Sequence, residues 1–145
     1  MMPKENNLLG ANVFREIIFD DYVTIFTLTN MTRDTVDIWI EACDLLMSEA
    51  VQQNHPIFII QDLSHPDVTQ TPYSQARGQA LVDAHPNLKG YIAYVLQENA
   101  DSQRIRLFVK RQNNHFRQRE VFFSREDALT WIENILNQKK LINTL

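Results

Sequence analysis

Between Asp62 and Tyr73 the chain carries Asp62, Ser64, His65, Asp67, Thr69, Thr71 and Tyr73, a dense run of carboxylate, imidazole and hydroxyl groups. An acid, a base and a hydroxyl are the materials of acid–base and nucleophilic catalysis. The same groups also hold anions at a helix start or cap turns. Ser64 and His65 are sequence neighbours, so their side chains diverge, and no Gly-x-Ser-x-Gly elbow is present. The stretch therefore reads as a ligand- or partner-binding site of Asp62, Ser64, His65, Thr71 and Tyr73, with no catalytic set assigned. The plainer account carries more weight: Asp62 and Ser64 cap the turn, and Thr71 caps the next helix.

Other candidate groups are weaker. Three of the four histidines precede proline (His55-Pro56, His65-Pro66, His85-Pro86) and read as turn punctuation. No pair has metal-site spacing, so no metal is expected. Cys43 falls on an apolar helical stripe and reads as an inert core thiol; as the one cysteine it excludes an internal disulfide. Three scattered glycines give no Gly-rich phosphate loop, and no cofactor is expected. Arg104, Arg106, Lys110, Arg111, Arg117 and Arg119 form a basic cluster around His115 and Phe116. A nucleic-acid surface is conceivable there. A solvated helix whose cations pair with acids such as Glu98, Asp101 and Glu120 is the favoured reading.

These residues must be positioned by alternating strands and helices. Val13–Phe19 and Tyr22–Leu28 read as a hairpin turned at Asp20-Asp21. From Thr32, Val36, Trp39, Ile40, Cys43, Leu46, Met47 and Ala50 follow helical spacing, ending before His55-Pro56. The run 57–60 reads as a buried central strand, followed by a polar loop over 61–70. Thr71-Pro72 opens a second helix whose small face, Ala76, Ala80 and Ala84, would let it lie close to a sheet. Residues 91–96 read as another strand. Residues 103–112 fit either period, and helix is favoured because parallel strands need a crossover. Val121-Phe122-Phe123 reads as a last strand, and Ser124 caps a final helix. The fold class is α/β: a mixed sheet, N-terminal hairpin then βα units, with about four helices. Residues 1–11 read as a flexible segment before a single domain over 12–145.

With 145 residues, 44% of them apolar, and a net charge of −4, the chain has an ordinary globular composition that leans against nucleic acid and anionic membranes as partners. No apolar run is long enough to span a bilayer, and Met1–Asn7 shows no secretory signal, so the cytoplasm is the expected location. A homodimer is compatible with the sequence but has no signature in it.

The segment Ile57-Phe58-Ile59-Ile60-Gln61-Asp62-Leu63-Ser64 resembles a strand of the STAS or SpoIIAA-like superfamily (sulfate-transporter and anti-sigma-factor antagonist domains), which ends in Asp-Leu-Ser. The run Arg119 to Ile132 resembles that superfamily's last strand and following helix, and the order of elements matches over roughly residues 13 to 138. The resemblance implies a non-enzymatic regulatory or binding module, docking a protein partner or small ligand at the loop after the central strand. Anti-sigma-factor antagonists carry a phosphorylated serine in Asp-Ser-Ser-Gly at this place. Here the sequence is Val68-Thr69-Gln70-Thr71-Pro72-Tyr73-Ser74-Gln75, so Thr71 and then Ser74 are the nearest phosphoacceptors, and the motif is absent. The alternatives are a carrier of a small apolar or anionic ligand in a sheet–helix pocket and, more remotely, an enzyme using Asp62 and His65.

Overall fold

A computed structural model describes residues 7–99 and 101–142. Strands β2 (Val13–Ile18) and β3 (Val23–Leu28) form the antiparallel hairpin expected from the two apolar runs. Asp20 and Asp21 turn it with φ of 55° and 68°, and the Tyr22 N–H donates to the Phe19 carbonyl at 3.1 Å. Positive φ at both central residues is what a tight hairpin needs, and aspartate tolerates it better than most residues. Strand β1 (Leu8–Gly10) pairs antiparallel with β2. The flexible segment expected over 1–11 is thus corrected at Leu8–Gly10, where Leu8-Leu9 is apolar enough to extend the sheet; residues 1–6 lie outside the described residues.

Helix α1 (Arg33–Gln53) is capped by Thr32, whose hydroxyl accepts from the Thr35 N–H, and it stops at Asn54 in a left-handed conformation. It buries Val36, Trp39, Ile40, Cys43, Met47 and Ala50, close to the stripe read from the sequence. Strand β4 (Ile57–Asp62) is buried along its whole length between parallel neighbours β3 and β5 (Gly90–Val95). Helix α2 (Pro72–Ala84) joins β4 to β5. The stretch 103–112 is helical up to Arg111, as α3 (Ser102–Arg111), with Gln112 its C-cap. Strand β6 (Arg117–Phe122) closes the parallel part, and α4 (Arg125–Gln138), capped by Ser124, follows it. The last strand begins at Arg117, four residues before the apolar run that announced it.

The sheet runs β1-β2-β3-β4-β5-β6, so each crossover among the parallel strands advances one place in the same direction. Right-handed crossovers then put α1, α2 and α3 on one face. The cores agree: Trp39, Ile40 and Cys43 pack with Ile59 and Ile92, whereas Ala128, Ile132 and Leu136 of α4 pack with Ile60, Ala93 and Val95 from the other side. Strands lie about 4.8 Å apart, but helix axes need about 8–10 Å. Three helices cannot all rest on consecutive strands. Helix α1 leans toward β1 and β2, α3 rests on β6, and α2 packs on α1 and stands off the sheet. Only Ser74 of α2 is buried; Ala76, Ala80 and Ala84 face solvent. The expected close approach of that small face to the sheet is therefore corrected.

Candidate functional site

Asp62 ends β4 and is buried, but both its oxygens are committed. Oδ1 accepts from the Ser64 N–H at 3.2 Å and the Ser64 hydroxyl at 2.6 Å. Oδ2 accepts from Arg125 Nε at 3.0 Å and Nη2 at 2.9 Å. Arg125 also reaches Glu16 Oε2 at 2.8 Å and the Thr27 hydroxyl at 2.7 Å. Burial lowers the Arg125 pKa, yet hydrogen bonds to Asp62 and Glu16 outweigh it and leave it raised. Asp62 and Ser64 therefore belong to a staple joining β2, β3, β4 and the start of α4.

The remaining predicted residues separate. His65 accepts at Nδ1 from the Asp67 N–H at 3.0 Å and holds the turn, with no hydrogen bond to Asp62. Thr71 and Ser74 form a capping box: the Thr71 hydroxyl accepts from the Ser74 N–H at 3.0 Å, and the Ser74 hydroxyl accepts from the Thr71 N–H at 2.9 Å. The Ser74 hydroxyl also donates to the Thr71 carbonyl at 2.9 Å. Tyr73 donates its hydroxyl to Asp37, which raises its pKa, and Arg33 stands 4.6 Å over its ring. These contacts anchor α2 to α1. Among the described residues, no three His, Cys, Asp or Glu side chains gather as a metal would require.

The space left under α2 is a cavity of about 180 Å³ between β4–β6 and the three helices. A dry engineered cavity of about 150 Å³ holds benzene, so this one has room for a small ring or a short branched chain. Its wall is largely apolar, with Leu63 and Val68 from the loop after β4, Leu81 from α2, Ile92 from β5, Leu96 just after it, and Phe108 from α3. The loop after β4 thus borders a site, though through its apolar residues; of the polar candidates only Ser74 lines the cavity. Gly78 also lines it, and a Cβ there would meet no atom within 4 Å.

The cavity wall also carries charge, from β6. Strand alternation turns Arg117, Arg119 and Val121 inward, and the two arginines are 1% and 2% exposed. Arg117 Nη2 donates to the Val82 carbonyl at 3.0 Å, in the last turn of α2; Arg119 Nη1 donates to the Gln112 carbonyl at 2.5 Å, at the end of α3. Each cation thus sits at the negative end of a helix. Arg117 Nε and Nη1 and Arg119 Nε have no partner among the described residues. An unsatisfied buried donor costs about 1–3 kcal/mol, more when charged. Burial, and then the neighbouring Arg119, push the Arg117 pKa down. Burial raises the Tyr94 phenol beside them, with Arg119 pulling it the other way. Gln61, also on the wall, is occupied: its amide oxygen accepts from Trp39 Nε1 at 2.8 Å, and its Nε2 faces Cys43 Sγ at 3.5 Å.

Comparison of the chain with protein families, curated proteins and solved structures finds no match. The residues that sequence reasoning missed are Arg117 and Arg119. They stood in the basic cluster read as a solvated helix, a reading that fits Arg104, paired with Asp101 at 3.2 Å, but not these two. The signal was their alternation with Val121, two charges in phase with an apolar strand position. No described helix is long and apolar enough to cross a membrane.

Proposed function

We propose that this chain is a non-enzymatic binding module that takes a small, largely apolar molecule into the cavity between the sheet and α1–α3, with the loop after β4 as part of its wall. The observation that carries this reading is the stand-off of α2, which leaves apolar side chains of three helices, of β5 and of the loop after β4 facing about 180 Å³ of unfilled space. Interiors are normally packed without such voids, so a space of this size that persists under a helix is suited to an occupant. The reading keeps the regulatory role implied by the STAS-like resemblance: an occupant touching Leu63 and Val68 would alter the loop a partner could read. Partner docking on the loop alone has less support, because Asp62, Ser64, Thr71 and Tyr73 already satisfy one another or their neighbours.

Titration of isotope-labelled protein with benzyl alcohol, a neutral ring of suitable size, tests the reading by amide chemical shifts. Saturable shifts confined to the amides of Leu63, Val68, Gly78 and Leu81 are expected. Gly78→Leu, which fills open space without displacing the fold, should abolish them while the far-ultraviolet spectrum stays native. Absence of saturation in the wild type, or unchanged binding by Gly78→Leu, overturns it.

A further inference from the structure

We propose that the occupant of this cavity is a small organic acid, its carboxylate seated against Arg117 and Arg119 and its apolar body lying under α2. The inference rests on the binding reading above and adds the chemistry of the head group. Arg117 and Arg119 both line the cavity from β6, each almost wholly buried, and three of their nitrogens lack a partner among the described residues. No salt bridge links either arginine to a described carboxylate; the described ion pairs involve Arg77, His85, Arg104 and Arg125. The carbonyls of Val82 and Gln112 take one bond from each arginine and fix the guanidiniums in place. Helix ends contribute only partial negative charge, on the order of half an electron each, so net positive charge remains on two buried side chains.

A ligand anion answers both deficits, supplying acceptors and the missing countercharge. Guanidinium groups match carboxylates in shape and bind them with short, charge-assisted hydrogen bonds. The N–H groups on Arg117 Nε, Arg117 Nη1 and Arg119 Nε match the roughly four acceptor sites of a carboxylate, whereas a phosphate dianion offers more. The rest of the wall sets the other half of the specificity. Leu81, Ile92, Leu96 and Phe108 carry no charge, so an apolar tail is favoured over a second ionised group. Gly78, where a side chain would occupy the same space, leaves room for that tail.

The test compares three ligands on the wild-type chain at pH 7, the isosteric pair 3-phenylpropionate and 3-phenylpropanamide and the bulkier 2-phenylethyl phosphate, by calorimetry and amide chemical shifts. The carboxylate is expected to bind at least tenfold more tightly than the amide, with a preference that falls as salt is raised. In Arg117→Met and Arg119→Met the preference should shrink toward unity while the amide still binds. Should either variant fail to fold, the wild-type ratio decides alone. Equal affinity for carboxylate and amide, with both bound, overturns the head-group assignment and leaves the binding reading standing. Tighter binding of the phosphate overturns the carboxylate in particular. Failure of benzyl alcohol overturns both proposals, and failure of all three ligands while benzyl alcohol binds overturns the head-group assignment alone.

Discussion

At the scale of single residues, polar side chains divide into those the fold has used and those it has left open. Asp62 looked available in the sequence because a carboxylate after a buried strand often is. In the structure it holds Arg125 and Ser64, and Arg125 in turn ties Glu16 and Thr27, so the residue closes the sheet's carboxyl edge. Asp62→Asn keeps the shape and removes the charge, leaving a partly buried guanidinium with one fewer anion. A stability loss of about 1–3 kcal/mol is expected, read as a lower urea midpoint with an unchanged slope. Combining it with Arg125→Met should cost less than the sum of the two single changes. Additive losses would show that the two residues act independently. Arg117 and Arg119 are the opposite case. Nothing in an Arg-Gln-Arg-Glu run distinguishes an inward arginine from a solvated one until the strand's phase is known.

At the scale of elements, legibility followed how far each element carried its own instructions. Helix α1 has a cap, a full apolar stripe and a left-handed stop, and its bounds could be read directly. The start of α2 was equally plain, because Thr71-Pro72 and Ser74 specify a capping box locally. Its orientation was not, since three alanines at helical spacing say only that one face is small. Which way that face turns is decided by the crowding of α1 and α3. Helix α2 buries one residue, so its stability depends unusually on its ends and on the Tyr73–Asp37 contact. Thr71→Ala should therefore cost about 1 kcal/mol. That amounts to roughly fivefold faster hydrogen exchange in the first turn of α2, if exchange proceeds by local opening, with α1 unaffected. Equal acceleration in both helices would mean that α2 does not open separately. Ser74→Ala removes the other half of the same box and a buried hydroxyl, so the double variant should again lose less than the sum of the singles.

At the scale of the whole molecule, the order of strands follows the order of the chain, and the cavity follows from that order. Sequence-ordered parallel strands force three crossovers to one side, where strand spacing is too narrow for the helices. The alternation of strands and helices could be read from the sequence, and so could the α/β class. The stand-off could not, because it is a property of neighbours and distances rather than of any segment. The same packing buries Cys43 between α1 and the sheet, and this gives a global readout of the core. Burial pushes its thiol pKa from 9.0 to about 12, with the Gln61 hydrogen bond lowering it and Asp44 raising it. The sign follows from linkage: the folded-state pKa is raised, so the unfolded chain releases the proton first and is stabilised relative to the folded one as the pH climbs. The contribution is fully present below pH 9.0 and is lost as pH rises toward about 12. Burial also raises Tyr94, which adds a second alkaline loss as its unfolded pKa near 10 is passed. Urea denaturation at a series of pH values should show the wild type declining from pH 9 upward. Cys43→Ala should be less stable at neutral pH, where it leaves a small void, but flatter in that window. The gap between the two chains should narrow by on the order of 1.4 kcal/mol per pH unit, the free energy of one linked proton. Parallel curves across the window would mean that Cys43 meets solvent in the native state, and the packing of α1 on the sheet would have to be redrawn.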